Sequence, residues 1–135
     1  MAIALLAACA PSFRTQATPL ACADTSWRSA NLLRVLHAVV SGTDSASRAT
    51  RALYHVDSAA PVALIRDPVI CAQGAAAYSG ATADTGALAR QRRVLVVSVG
   101  DKYVVDDPYT PTRAGEFELW YIFDKRWRYV VGLAS

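Results

Sequence analysis

Side chains alternate between two faces with a period of two from Glu116 to Phe123 and again from Trp127 to Leu133, and no other feature limits the possible folds of this chain as tightly. Phe117, Leu119, Tyr121 and Phe123 fall on one side, with Glu116, Glu118, Trp120 and Ile122 on the other. Successive side chains of a strand point to opposite faces, so this is the pattern of a half-buried strand. Trp127 to Leu133 alternates in the same way, with Trp127, Tyr129, Val131 and Leu133 in phase.

Register follows from phase, because a slip of one residue exchanges the faces. A two-residue turn at Asp124-Lys125 mixes the faces, whereas a three-residue loop, Asp124 to Arg126, pairs Phe123 with Trp127, Tyr121 with Tyr129, Leu119 with Val131 and Phe117 with Leu133. The second register is expected, with Arg126 in the left-handed conformation that such a loop requires.

Upstream, Val94–Val99 and Tyr103–Val105 flank Gly100-Asp101, a dipeptide suited to a tight hairpin turn. Val94 to Val97 is apolar without a break, as expected of a central strand covered on both faces. Pro108 and Pro111 end this hairpin, since proline cannot donate to a ladder.

A helix is expected from Asp24, as its cap, to about Ser41, followed by Gly42; Leu32, Leu33, Val35, Leu36, Val39 and Val40 share its apolar face. Thr43 to Ser47 reads as a turn and Arg48 to His55 as a short, weak helix. Val62 to Ile65 is a further strand. Asp67-Pro68 is the strongest local signal, a capping residue followed by proline at the first helical position, and predicts a helix to about Ser79.

The chain has three cysteines. Leu6-Ala7-Ala8-Cys9 resembles the lipobox of bacterial lipoproteins, in which the cysteine is lipidated after cleavage; Ala8-Cys9-Ala10 also fits ordinary signal cleavage. No Lys or Arg precedes Arg14, so the usual positive leader region is missing unless the true start lies upstream, and an alanine-rich helix is the alternative reading. With Cys9 lipidated or removed, Cys22 and Cys71 form an even pair for an oxidising compartment. Residues 1–10 thus read as a signal peptide with a lipobox, 11–23 as a tether and 24–135 as one domain.

The net charge of +3 is dispersed, with one cluster at Arg90, Arg92 and Arg93. A nucleic-acid module shows a denser basic stripe, so none is expected. His37 and His55 are the only imidazoles, and neither lies in a nucleophile or metal-ligand motif. The acid pairs Asp106/Asp107 and Glu116/Glu118 match the residue type of a glycosidase, but also of a solvated strand. No catalytic residue, metal ligand or cofactor is assigned. Trp120, Arg128 and Glu118 share the face opposite the aromatic one, and exposed tryptophan beside arginine is what binding surfaces favour, unless the Val94–Val105 hairpin or the tether covers Trp120.

The expectation is a single α+β domain: a four- to five-stranded antiparallel sheet under two helices that are clipped by a Cys22–Cys71 disulfide. Its order of elements resembles that of cystatin-like and NTF2-like domains, and a likeness of order carries no function. The functional expectation is an exported, lipid-anchored, non-enzymatic module for a protein or small-molecule ligand, touching the membrane only through its lipid. A small hydrolase-like enzyme with a pocket between helices and sheet is the alternative.

Overall fold

The structure, a computed structural model, describes residues 21–23, 26–83, 93–108 and 119–134. Three helices and five strands follow in the order α1 (Trp27–Ser41), α2 (Ser45–Tyr54), β1 (Val62–Ile65), α3 (Pro68–Ala81), β2 (Leu95–Val99), β3 (Lys102–Asp106), β4 (Leu119–Asp124) and β5 (Tyr129–Ala134). The strands form one antiparallel sheet in sequential order, β1 to β5. The chain is thus the expected α+β domain, with the weak Arg48–His55 segment realised as a full third helix.

The expected cap, Asp24, lies outside the described residues, and α1 begins on Ser26 instead. The Ser26 hydroxyl accepts the Arg28 N–H, while the Ser29 hydroxyl accepts the Ser26 N–H at 3.1 Å, a reciprocal box that satisfies two end donors. Leu32, Leu36 and Val40 recur at four-residue spacing and are buried. Gly42 follows in extended rather than left-handed geometry; glycine is required there because a Cβ would meet Ser47 and the Ala38 carbonyl.

Asp44 caps α2 by accepting the Ser47 N–H at 3.0 Å and the Ser47 hydroxyl at 2.7 Å. From α2, the Arg51 guanidinium donates to the carbonyls of Val39 (2.6 Å) and Gly42 (2.7 Å), serving the open C-terminal end of α1 and its negative dipole end. Asp67 caps α3 as expected, accepting the Val69 and Ile70 N–H groups.

The helices divide between the two faces of the sheet. On one face Leu32, Leu36, Val40 and Tyr54 from α1 and α2 meet Leu95, Val97, Val99, Val104, Trp120 and Ile122. On the other, Cys71, Ala75 and Tyr78 of α3 meet Val94, Val96, Val105 and Phe123. Val94 to Val97 are all buried, as expected of a strand covered on both sides. The picture of two helices lying together on one aromatic face is corrected: α1 and α3 take opposite faces.

Cys22 and Cys71 form the disulfide, with Cα atoms 5.1 Å apart across 49 residues. Placed at the end of the tether by the sequence, Ala21 to Ala23 in fact join the sheet: Val94 N–H donates to Ala21 O at 2.7 Å and Ala23 N–H to Val94 O at 2.9 Å. The bridge therefore ties α3 to a short segment running beside Val94, not to α1 itself.

The β4–β5 register also differs from expectation. Phe123 faces Tyr129, Ile122 faces Val131 and Tyr121 faces Gly132, with an irregularity after Ile122. The expected partners Phe117 and Leu133 are not matched: Leu133 faces Trp120, and Phe117 lies outside the described residues. The left-handed residue is Trp127 (φ 62°), not Arg126. Bulky side chains seldom adopt this conformation. Here the Trp127 ring stacks on Tyr103 at 4.4 Å and its indole N–H donates to Gln73 of α3 at 3.0 Å, so tertiary contacts set the turn.

Candidate functional site

Trp120, Arg128 and Glu118 do not assemble into a surface. Trp120 is 4% exposed and belongs to the core beneath α1 and α2. Arg128 is exposed and pairs with Asp124, Nε to Oδ2 at 2.7 Å. Glu118 lies outside the described residues. The signal for the burial of Trp120 was present in its neighbour: Ile122, two residues on, shares its face and is apolar as well.

His37 is exposed on α1. His55 closes α2 in the left-handed conformation (φ 57°, ψ 47°), where its backbone N–H serves the helix end. Cys9 lies outside the described residues. Among the described residues no group of three His, Cys, Asp or Glu side chains is placed to hold a metal ion.

What the fold does assemble is a buried polar bridge at the end of β3. Asp106 and Asp107 are 4% and 7% exposed. Adjacent on an extended chain, they face opposite sides of the sheet. Toward α1, Arg28 Nε lies 2.5 Å from Asp106 Oδ2, and its Nη2 donates to the Asp107 carbonyl at 2.5 Å. Toward α3, the Tyr78 hydroxyl donates to Asp107 Oδ1 at 2.6 Å. Tyr78 also meets Tyr121 edge-on at 5.4 Å, and burial, then the Asp107 charge, push the Tyr121 phenol above its ordinary range. Charges leave water only when paired or hydrogen-bonded: the Asp106 carboxylate is paired with Arg28, and the Asp107 carboxylate accepts the Tyr78 hydroxyl. The pair thereby joins the two helical layers through the sheet.

A cavity of about 190 Å³ opens beside this bridge, lined by Ala23, Ser26, Arg28, Arg93, Leu95 and Asp106 among others. Arg93 donates from Nε to the Cys22 carbonyl at 2.9 Å, so its guanidinium is fixed near the disulfide. A second, more polar groove of about 300 Å³ lies between the α2–β1 connection and the β2–β3 turn, where His55, Asp57 and Asp101 share the rim. The hydrogen bond from Lys102, whose Nζ is 2.9 Å from Asp101 Oδ1, holds the Asp101 carboxyl below its ordinary value. The third is a shallow apolar groove of about 520 Å³ on the outer side of α3, lined by Pro68, Val69, Ala72, Gln73 and Ala76.

No described helix is long and apolar enough to cross a membrane. No family model, no curated protein and no solved structure matches the chain. The likeness of element order to cystatin-like and NTF2-like domains therefore lends no activity to the site.

Proposed function

We propose that the chain is an exported, non-enzymatic module of the cell envelope, anchored by lipid on Cys9. The observation that carries this reading is the Cys22–Cys71 bridge, a covalent link suited to an oxidising compartment. Leu6-Ala7-Ala8-Cys9 supports it from the sequence, leaving one cysteine for lipid and two for the bridge. Among the acid pairs, Asp106 and Asp107 are held by Arg28 and Tyr78, which supports a structural role for them over general acid–base chemistry.

The test is the intact mass of the protein isolated from its own cell, with and without reductant. The expected chain starts at Cys9, carries lipid and gains two hydrogens on reduction. An unprocessed chain beginning at Met1 with three free thiols would overturn both anchor and compartment. A hydrolase-like enzyme is the second reading, favoured by the groove in which His55 stands with Asp57 and Asp101. That groove has no Ser, Thr or Cys in its lining, so the nucleophile would be water or one of the carboxylates. Loss of a hydrolytic activity in His55→Ala, at unchanged stability, would establish this reading over the first.

A further inference from the structure

A helix lying on a sheet turns one face to the core and covers the other with charge. α3 departs from that rule. Its 14 residues, Pro68 to Ala81, include no Asp, Glu, Lys or Arg. Cys71, Gly74, Ala75 and Tyr78 face the sheet and are buried, yet the opposite side carries Val69, 63% exposed, and forms the groove with Pro68, Ala72 and Ala76. Charge is concentrated around this face instead of on it. Exposed Arg66 stands just before its amino-terminal end. Exposed Lys125 and Arg126 lie in the β4–β5 turn, which Trp127 fastens to Gln73 of the same helix; the Lys125 ammonium donates to the Ser98 hydroxyl at 2.8 Å and sits 3.8 Å from the centre of the Tyr103 ring. The acid nearest in sequence, Asp67, is committed to capping the first turn of α3.

The covalent route of the chain leads to the same place. Cys22 is bonded to Cys71 in the first turns of α3. Twelve residues separate Cys9 from Cys22, a reach of at most about 45 Å. The helix itself is about 21 Å long, so an anchor at Cys9 has slack enough for α3 to lie flat on the surface that holds the lipid.

We propose that the outer face of α3, with its rim of Arg66, Lys125 and Arg126, is a docking surface for an anionic lipid bilayer. Basic residues at the edge of an uncharged face are attracted to the acidic headgroups of a bilayer surface. The orientation of the domain rests on the reading of Cys9 as lipid-bearing; the affinity of the face for headgroups does not. Held close by an acyl chain, even a weak face stays engaged, because the second contact becomes intramolecular.

The test uses the full chain with Cys9→Ser, oxidised, so that no lipid contributes, and measures co-sedimentation with vesicles of phosphatidylglycerol in phosphatidylcholine and with phosphatidylcholine alone. Binding is expected only to the anionic vesicles and is released at about 0.5 M salt, where screening is short-ranged. Arg126→Glu reverses one rim charge and lowers partitioning by about ten-fold or more. Val69→Asp, on the exposed face, does the same; an unchanged near-ultraviolet spectrum shows that the fold is retained, and Ala72→Glu repeats the test at a second exposed position. Equal binding of these variants and the parent overturns the proposal, as does failure of the parent to bind anionic vesicles. A concentration-dependent dimer that Val69→Asp abolishes places a second copy on the face and also overturns it. An unlipidated native mass with intact vesicle binding instead rejects the Cys9 anchor and leaves the α3 face standing.

Discussion

The two faces of this sheet are closed by different means. On the α1–α2 face, large side chains meet large side chains, with Leu32, Leu36, Val40 and Tyr54 packed on Val97, Val104, Trp120 and Ile122. The two helices are locked to each other by Arg51, which binds the carbonyl end of α1. On the α3 face most of the bulk comes from the sheet and its turn: Tyr103 and Trp127 stack, and Phe123 lies 5.7 Å from Trp127. The helix offers Cys71, Gly74 and Ala75, and approaches so closely that a Cβ on Gly74 would lie 2.9 Å from Val96 and 3.2 Å from Trp127. Apart from Tyr78, the buried residues of this helix are small and bury little area of their own. Its position is fixed instead by polar handles, Gln73 to Trp127 and Tyr78 to Asp107, and by a covalent clip.

The difference can be broken from either side. Trp120→Ala should cost about 3–5 kcal/mol in chemical denaturation, the amount for truncating a buried aromatic. An exposed tryptophan in a binding surface would shift stability by no more than about 0.5 kcal/mol, so a loss that small would mean that the α1–α2 core is not packed on β4. Cutting the clip is the next largest change. Replacing Cys22 and Cys71 together by Ala, or reducing the bridge, should cost about 2–4 kcal/mol for a loop of this length. The loss should be uneven: hydrogen exchange should rise first in α3 and at Ala23 and Val94, while the amides of α1 remain protected. Uniform loosening would show that the two faces share one cooperative support.

Sequence pattern revealed those parts whose instructions are local. Asp67-Pro68 starts a helix wherever it stands, and Gly100-Asp101 makes a hairpin because Gly100 takes φ 59° at no steric cost. Val62–Ile65 appears with the expected bounds. The parts that were not legible depend on distant residues. Trp127 takes the left-handed turn position because Tyr103 and Gln73 hold its ring, and neither is near in sequence. Ile122 marks the Trp120 face as apolar, but that α1 and α2 are the elements covering it depends on residues far away in the chain. The polar bridge has no sequence signature, since Arg28 and Asp106 are 78 positions apart and Tyr78 and Asp107 are 29.

A smaller effect tests whether His55 is a structural or a chemical residue. Its left-handed conformation costs a non-glycine residue about 1 kcal/mol, so His55→Gly should stabilise the α1–α2 side by about 0.5–1 kcal/mol, less the entropy that glycine adds to the unfolded chain. Thermal denaturation reads the sign. A destabilised variant would mean that the imidazole makes contacts beyond the helix end.

The smallest expected effect separates acid from reductant as ways of loosening the two faces. Asp124 accepts the Arg128 N–H at 2.9 Å, the Arg126 N–H at 2.8 Å and Arg128 Nε at 2.7 Å, and these bonds hold its carboxyl below the ordinary value of 3.8. Asp44, capping α2 on the other face, is lowered by its bonds to Ser47. A carboxylate depressed by folding adds stability above its unfolded value and loses it as pH falls through the folded one. Acid should therefore act on both faces, fraying the β4–β5 turn and the start of α2 below pH 3.8, whereas reductant acts first on α3 and the Ala23–Val94 contact. Amide exchange at Arg128 and Ser47 followed between neutral pH and pH 3 would show the two sites opening together. In Asp124→Asn the pH dependence at Arg128 should vanish while that at Ser47 persists; persistence at both would place the acid-sensitive group elsewhere in the sheet.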